Sequence, residues 1–156
     1  MKFDQFQLLV KNVLGEAGGK AAVQPDRLHP LVLAYIGDAY YTLYVRTRLL
    51  QYERNRVRVL HSFDSKIVSA AMQAFGIKAI EAELSEHEMD IIRRGRNAKS
   101  TPTKNASIGE YRYSTGFEAL VGYLLLTSNH GRLEEIVEKV FMAVMMKLTD
   151  NEHGQG

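Results

Sequence analysis

The 156-residue sequence predicts an all-α fold. Three observations carry that expectation. Apolar residues recur at helical spacing near both ends of the chain, from Phe3 to Leu14 and from Leu133 to Leu148. No stretch shows the strict apolar–polar alternation of a half-buried strand. Two long apolar stretches, Leu28 to Val45 and Tyr113 to Gly131, have the length of buried core helices, and each carries a single ionised side chain, Asp38 in the first and Glu118 in the second. Length and composition (46% hydrophobic, 24% charged) suit one domain over residues 1–150, with a disordered tail at 151–156.

The elements follow in order. Phe3, Phe6, Leu9, Val10, Val13 and Leu14 line one face of a first helix that Gly15 and the Gly18-Gly19 pair end. Ala21 to Leu28 reads as a loop around Pro25. Pro30 fits the first turn of a second helix reaching about Leu50. There Leu31, Ala34, Tyr35, Tyr41, Thr42, Val45 and Leu49 share a face with Asp38, so Asp38 is expected along an apolar stripe and not toward solvent. Ser62 or Asp64 caps a third helix through about Phe75, stopped by Gly76, and a short helix covers Ile77 to Leu84. Ser85 and Glu88 form a capping-box pattern opening a helix to about Arg94, whose basic end suits the helix dipole. Gly95 to Glu110 reads as a long basic loop rich in small polar residues, which suit phosphate contacts. Ser114 is placed as the N-cap of a helix from Thr115 to Thr127, and Gly131 separates it from a last amphipathic helix, Arg132 to Leu148.

Absences narrow the chemistry. The chain has no cysteine, which excludes disulfides, zinc-thiolate sites and thiol nucleophiles. Its first residues lack a signal-peptide pattern, so a cytoplasmic location is expected. The apolar stretches approach membrane-spanning length, but a central Asp opposes insertion, and no membrane span is expected. The five histidines show no close-spaced metal motif and no serine sits in a nucleophile elbow.

Charge is unevenly placed although the net value is only +2. The windows Arg46–Arg58 and Arg93–Lys104 together hold half of the basic residues and one acid, Glu53, which leaves the remainder net acidic. Such separation suggests a basic face for a polyanion, though solvated helix ends would give the same pattern. An unpaired carboxylate in an apolar helix is costly unless a cation meets it. Asp38 has an ordinary alternative, a buried carboxylate hydrogen-bonded to a tyrosine or to backbone. Two such anions in one small domain are best explained if they converge on a metal. Mg2+ prefers oxygen ligands, keeps several waters and often takes one or two carboxylates plus substrate phosphates. It can activate water and offset the charge that develops on a phosphodiester. These residue classes point to a metal-dependent nuclease or phosphohydrolase.

Two motifs sharpen this. Leu33-Ala34-Tyr35-Ile36-Gly37-Asp38-Ala39 resembles the signature helix of the ribonuclease III catalytic domain, and Ser114-Thr115-Gly116-Phe117-Glu118-Ala119-Leu120-Val121-Gly122 resembles that family's second motif. Asp38 and Glu118 fall on metal-site positions of the family. Ala34 and Thr115 stand where the family has two further acids, and no room remains for a double-stranded-RNA-binding domain. Both departures, with Arg94-Gly95-Arg96-Asn97-Ala98-Lys99 and Tyr111-Arg112-Tyr113-Ser114-Thr115, are similar to the Mini-ribonuclease III subgroup.

The resemblance implies a ribonuclease III-like helical bundle and a homodimer. It implies Mg2+-dependent endonucleolytic cleavage of double-stranded RNA that leaves 5′-phosphate ends, in trimming large-subunit (23S) ribosomal RNA precursor. On this reading Asp38 and Glu118 are catalytic metal ligands, Tyr35 and Thr115 support them, and Arg93, Arg94, Arg96, Lys99 and Lys104 contact phosphates. The rival reading is an RNA-binding ribosome-assembly factor that kept the fold and lost catalysis, as the positions of Ala34 and Thr115 suggest.

Overall fold

Pro30 pre-sets the backbone for the first position of helix α1 (Pro30–Leu49), and His29 caps it by accepting the Leu31 N–H on Nδ1 at 3.1 Å. The computed structural model describes residues 5, 7, 8, 23–98, 101 and 106–154. Most of the helix expected from Phe3 to Leu14, and Lys99 and Lys104 of the basic loop, lie outside the described residues. After α1 come α2 (Val57–Ile67), α3 (Ala70–Ala79), α4 (Glu86–Asn97), α5 (Ile108–Leu126) and α6 (His130–His153), with short 3-10 turns at Pro25–Arg27 and Glu81–Glu83. The described residues contain no strand, as the patterning predicts.

Helix α5 is the centre of the bundle and packs against α1, α3, α4 and α6. From Ser114 to Gly122 every residue but Glu118 is buried. Two glycine crossings bring its neighbours unusually close. A Cβ on Gly37 would stand 1.7 Å from the Glu118 carbonyl oxygen, and one on Gly122 would stand 2.0 Å from the Leu33 carbonyl oxygen. α1 and α5 therefore meet backbone to backbone. At the second crossing a Cβ on Gly116 would lie 2.7 Å from the Ile92 carbonyl oxygen, which seats α4 on the first half of α5.

Ion pairs tie the outer helices to this core. Arg132 on α6 grips Glu88 on α4 with Nε to Oε1 at 2.8 Å and Nη2 to Oε2 at 2.9 Å. Arg48 on α1 donates to Glu138 on α6 at 2.8 Å, and Arg46 donates to the buried Asp64 on α2 at 2.7 Å. Bidentate, partly buried pairs of this kind hold geometry better than exposed ones.

The capping box forms as expected. The Ser85 hydroxyl accepts the Glu88 N–H at 3.1 Å, and the Glu88 carboxylate accepts the Ser85 N–H at 2.9 Å. Other boundaries differ from expectation. The single helix expected up to Phe75 is two, because Val68 and Ser69 break it and the Ser69 hydroxyl caps α3 by accepting the Met72 N–H at 3.3 Å. Gly76 does not stop that helix; it lies inside α3, where it makes room for Val140 of α6. Helix α4 extends through Asn97 and α5 starts at Ile108, so both ends of the stretch expected as a basic loop are helical. Ser114 is not an N-cap: Ser107 caps α5 through the Glu110 N–H at 3.1 Å, and the Ser114 hydroxyl donates to the Tyr111 carbonyl at 2.8 Å inside the helix. Helix α6 continues to His153, so the first residues of the expected tail are helical.

Candidate active site

The crossing of α1 and α5 sets the two carboxylates side by side. Gly37 touches the backbone of Glu118, and Asp38 is the next residue along α1. Glu118 sits at the helix interface with no cation beside it among the described residues. Burial, then the negative charge of Asp38, pushes its carboxyl up to about 8, while a hydrogen bond from the Gln73 side chain pulls the other way. Asp38 makes no hydrogen bond or ion pair among the described residues. Tyr41, the nearest candidate for the tyrosine alternative, keeps its buried hydroxyl unpartnered and packs edge-on against Phe117 at 4.9 Å between centroids.

Asp38 is exposed, against the expectation that its face of the helix is turned from solvent. The reason is that α1 is apolar on two faces. Leu33, Ala34, Gly37, Tyr41, Val45 and Leu49 form the buried one. Val32, Tyr35 and Leu43 form an outer stripe, and Asp38 stands at the seam. One carboxylate is thus held largely in the core and its neighbour is open to solvent.

Gln73 of α3 was not legible as a site residue. It is 2% exposed, donates through Nε2 to the Val68 carbonyl at 2.9 Å, and also hydrogen-bonds Glu118. Its Oε1 is buried without a partner among the described residues. The side chain that hydrogen-bonds Glu118 thus keeps a buried acceptor that the described residues leave unsatisfied. The sequence did contain a signal of the kind that exposed the carboxylates, since Gln73 is the one polar residue in the run Ala70–Ile77.

The donor set fits Mg2+. No group of three or more His, Cys, Asp or Glu side chains suited to a metal occurs among the described residues. Two carboxylates with an amide oxygen behind them nevertheless match an ion that keeps most of its waters. Thr115 is buried beside this pair on α5, but its hydroxyl donates to the Tyr111 carbonyl at 3.0 Å. Tyr35 is 77% exposed on the outer stripe and hydrogen-bonds neither carboxylate.

The basic windows behave differently from each other. In the first, Arg46, Arg48 and Arg56 are each paired with an acid (Asp64, Glu138 and Glu53), so much of that charge is internal to the fold. In the second, Arg93 pairs with Asp90 on the surface, Arg94 is exposed, and Arg96 lies against the Tyr113 ring with no acid partner among the described residues. The Gly95–Gly116 contact brings this end of α4 onto the helix that carries Glu118.

Comparison with known proteins gives the family and the fold. Residues 31–129 match the family model described as Ribonuclease III domain. The chain is 51% identical over 112 residues to Mini-ribonuclease 3 of Thermoanaerobacter sp., covering 71% of this chain and 79% of the relative. It is 43% identical over 132 residues to Mini-ribonuclease 3 of Clostridium tetani, covering 83% and 86%. Its fold is similar to the crystal structure of a Fusobacterium nucleatum protein, with a TM-score of 0.68, 28% identity, and coverage of 74% of this chain and 93% of that one.

Proposed function

Because the chain belongs to the ribonuclease III domain family and is an endoribonuclease, we propose that it cuts double-stranded RNA with Mg2+ held between Asp38 and Glu118. One observation carries the assignment: two carboxylates with no cation of their own, brought together by a glycine crossing that leaves one buried and one open. When bound, Mg2+ supplies a Lewis acid for the phosphodiester and lowers the pKa of water. Glu118 anchors the inner side of the site, and the Gln73 amide fixes its orientation. Asp38 faces the incoming phosphate. Products with 5′-phosphate ends, a ribosomal RNA precursor (23S) as substrate, and cytoplasmic action belong to the same reading. No helix among the described residues is long and apolar enough to cross a membrane.

The outer stripe of α1 supports a homodimer. Val32 is 46% exposed and Leu43 61%, on the same face as Tyr35. A second copy of that self-complementary stripe would cover it across a two-fold axis. Sedimentation should give about twice the 17.6 kDa chain mass.

The catalytic test is incubation with a long RNA duplex. Cleavage is expected with Mg2+, none with a chelator, and binding should weaken steeply with salt because phosphate contacts release counterions. The rival reading, an RNA-binding assembly factor without catalysis, rests on Ala34 and Thr115 standing where acids are expected. It requires binding with no cleavage at any Mg2+ concentration.

The Glu118 shift gives a pH dependence. Its carboxyl titrates near 8 in the folded, metal-free protein against about 4.5 unfolded. Between those values the folded state holds the extra proton, so its stability falls as pH rises, by at most roughly 1.4 kcal/mol per pH unit. Metal must displace that proton. The Mg2+ concentration for half-maximal cleavage should therefore drop as pH rises from 6 to 8 and level off above it. A requirement independent of pH in that range would contradict the assignment.

A further inference from the structure

We propose that Lys78, Tyr113 and Arg96 form a preorganised site for one stretch of RNA backbone phosphates around the helix that carries Glu118; this rests on the duplex-RNA reading above. The three residues come from three helices. Lys78 Nζ stands 4.1 Å from the centroid of the Tyr113 ring, and Arg96 Cζ stands 3.9 Å from the same centroid. Both cationic groups therefore rest on the one ring.

The arrangement is held from several sides. Gly95 and Gly116 let α4 seat closely on α5, which delivers Arg96 to Tyr113. Arg96 is only partly exposed, and its Nε is buried without a hydrogen-bond partner among the described residues. Lys78 is exposed at the end of α3, the helix whose Gln73 reaches Glu118. Neither cation has an acid partner among the described residues, in a domain where Arg46, Arg48, Arg56, Arg93 and Arg132 all do.

Charge without a counter-ion, fixed on an aromatic face, is an incomplete arrangement. Cation–π contact holds a flexible Lys and Arg in place but leaves the outer faces of both groups free to donate. An anion with several acceptor oxygens completes it. Tyr113 precedes Glu118 by five residues on α5, which is about 7.5 Å along the helix and about 140° around it, so a backbone that reaches both must cross the helix. The anion that must also reach Asp38 and Glu118 is the RNA backbone, so neighbouring phosphates of one strand are the natural occupant. The ring acts as a spacer that fixes where that strand crosses relative to the carboxylates. It also explains why the two short segments Arg94–Lys99 and Tyr111–Thr115, far apart in sequence, both stand out: the structure puts Arg96 of one on Tyr113 of the other.

The test uses full-length protein carrying Glu118→Gln, so that duplex RNA binds without being cut, and measures affinity over a salt series. Lys78→Gln should weaken binding several-fold and reduce the slope of log affinity against log salt by about one. Tyr113→Leu removes the ring and should weaken binding at least as much as Lys78→Gln, with an unchanged circular dichroism spectrum. In the cleaving protein the Lys78→Gln change should raise KM and spare kcat. An unchanged salt slope in Lys78→Gln, or unchanged affinity in Tyr113→Leu, overturns the site while leaving the nuclease reading intact. A parent protein that neither binds nor cuts the duplex overturns both.

Discussion

Glu118→Gln is expected to lower duplex-RNA cleavage by about three orders of magnitude while leaving duplex affinity within a few-fold. The size follows from the several kcal/mol that a bound divalent cation contributes to transition-state charge, at 1.36 kcal/mol per factor of ten. Binding is expected to survive because the proposed phosphate contacts are on α3, α4 and the start of α5, not on this carboxyl. The same substitution should raise the thermal stability of the metal-free protein at pH 8. Glutamine keeps the shape and needs no desolvated charge beside Asp38, which removes the repulsion that now pushes the Glu118 proton affinity up. Its amide can also donate to the unpaired Gln73 Oε1. Loss of activity with gain of stability is the signature of a group kept for its chemistry. A structural residue would show both falling together. Asp38→Asn should lose cleavage to a similar extent with a smaller change in stability, since Asp38 is already open to water.

The largest effect on folding is expected at the helix crossing. Gly37→Ala would normally gain about 1 kcal/mol of helix propensity. Here its Cβ would sit 1.7 Å from the Glu118 carbonyl oxygen and 2.8 Å from the Gly122 nitrogen, and both are backbone atoms that cannot rotate away. α1 and α5 must part, so a net loss of about 3–5 kcal/mol is expected, at the upper end of overpacking costs. Parting the helices also moves Asp38 from Glu118, so the fraction that folds should cleave poorly. Gly131→Ala is the control. Nothing lies within 4 Å of its Cβ position in α6, and it should be neutral or stabilising by up to about 1 kcal/mol. Urea denaturation of the two variants measures the contrast.

How far the sequence foretold this site depends on what kind of force placed each residue. Asp38 and Glu118 were legible because a charge inside an apolar run is a local anomaly, visible without tertiary contacts. The capping box was legible because Ser85 and Glu88 act on the backbone three residues apart. The exposure of Asp38 was not, because α1 is apolar on both faces and periodicity cannot say which one meets the core. The start of α5 differs from expectation because Ser114 and Ser107 are both good caps by composition, and it is Ser107 that accepts the Glu110 N–H. Gly76 looked like a helix end and is a packing contact with Val140, a distinction that exists only between helices. Gln73 stands out in the sequence only as the one polar residue of Ala70–Ile77, and its reach to Glu118, like the meeting of Lys78 and Arg96 on Tyr113, exists only between helices distant in sequence.

The central claim is that Asp38 and Glu118 hold one divalent cation together. Calorimetric titration of Mg2+ into the full-length protein, repeated in buffers of different ionisation enthalpy, tests it without reference to cleavage. Binding at pH 7 should release about one proton, the one that Glu118 carries when no metal is present, and the release should fade above pH 8. Glu118→Gln should abolish both the binding and the proton release. Equal Mg2+ affinity in the parent and in Glu118→Gln, or binding with no proton released at pH 7, would contradict the claim.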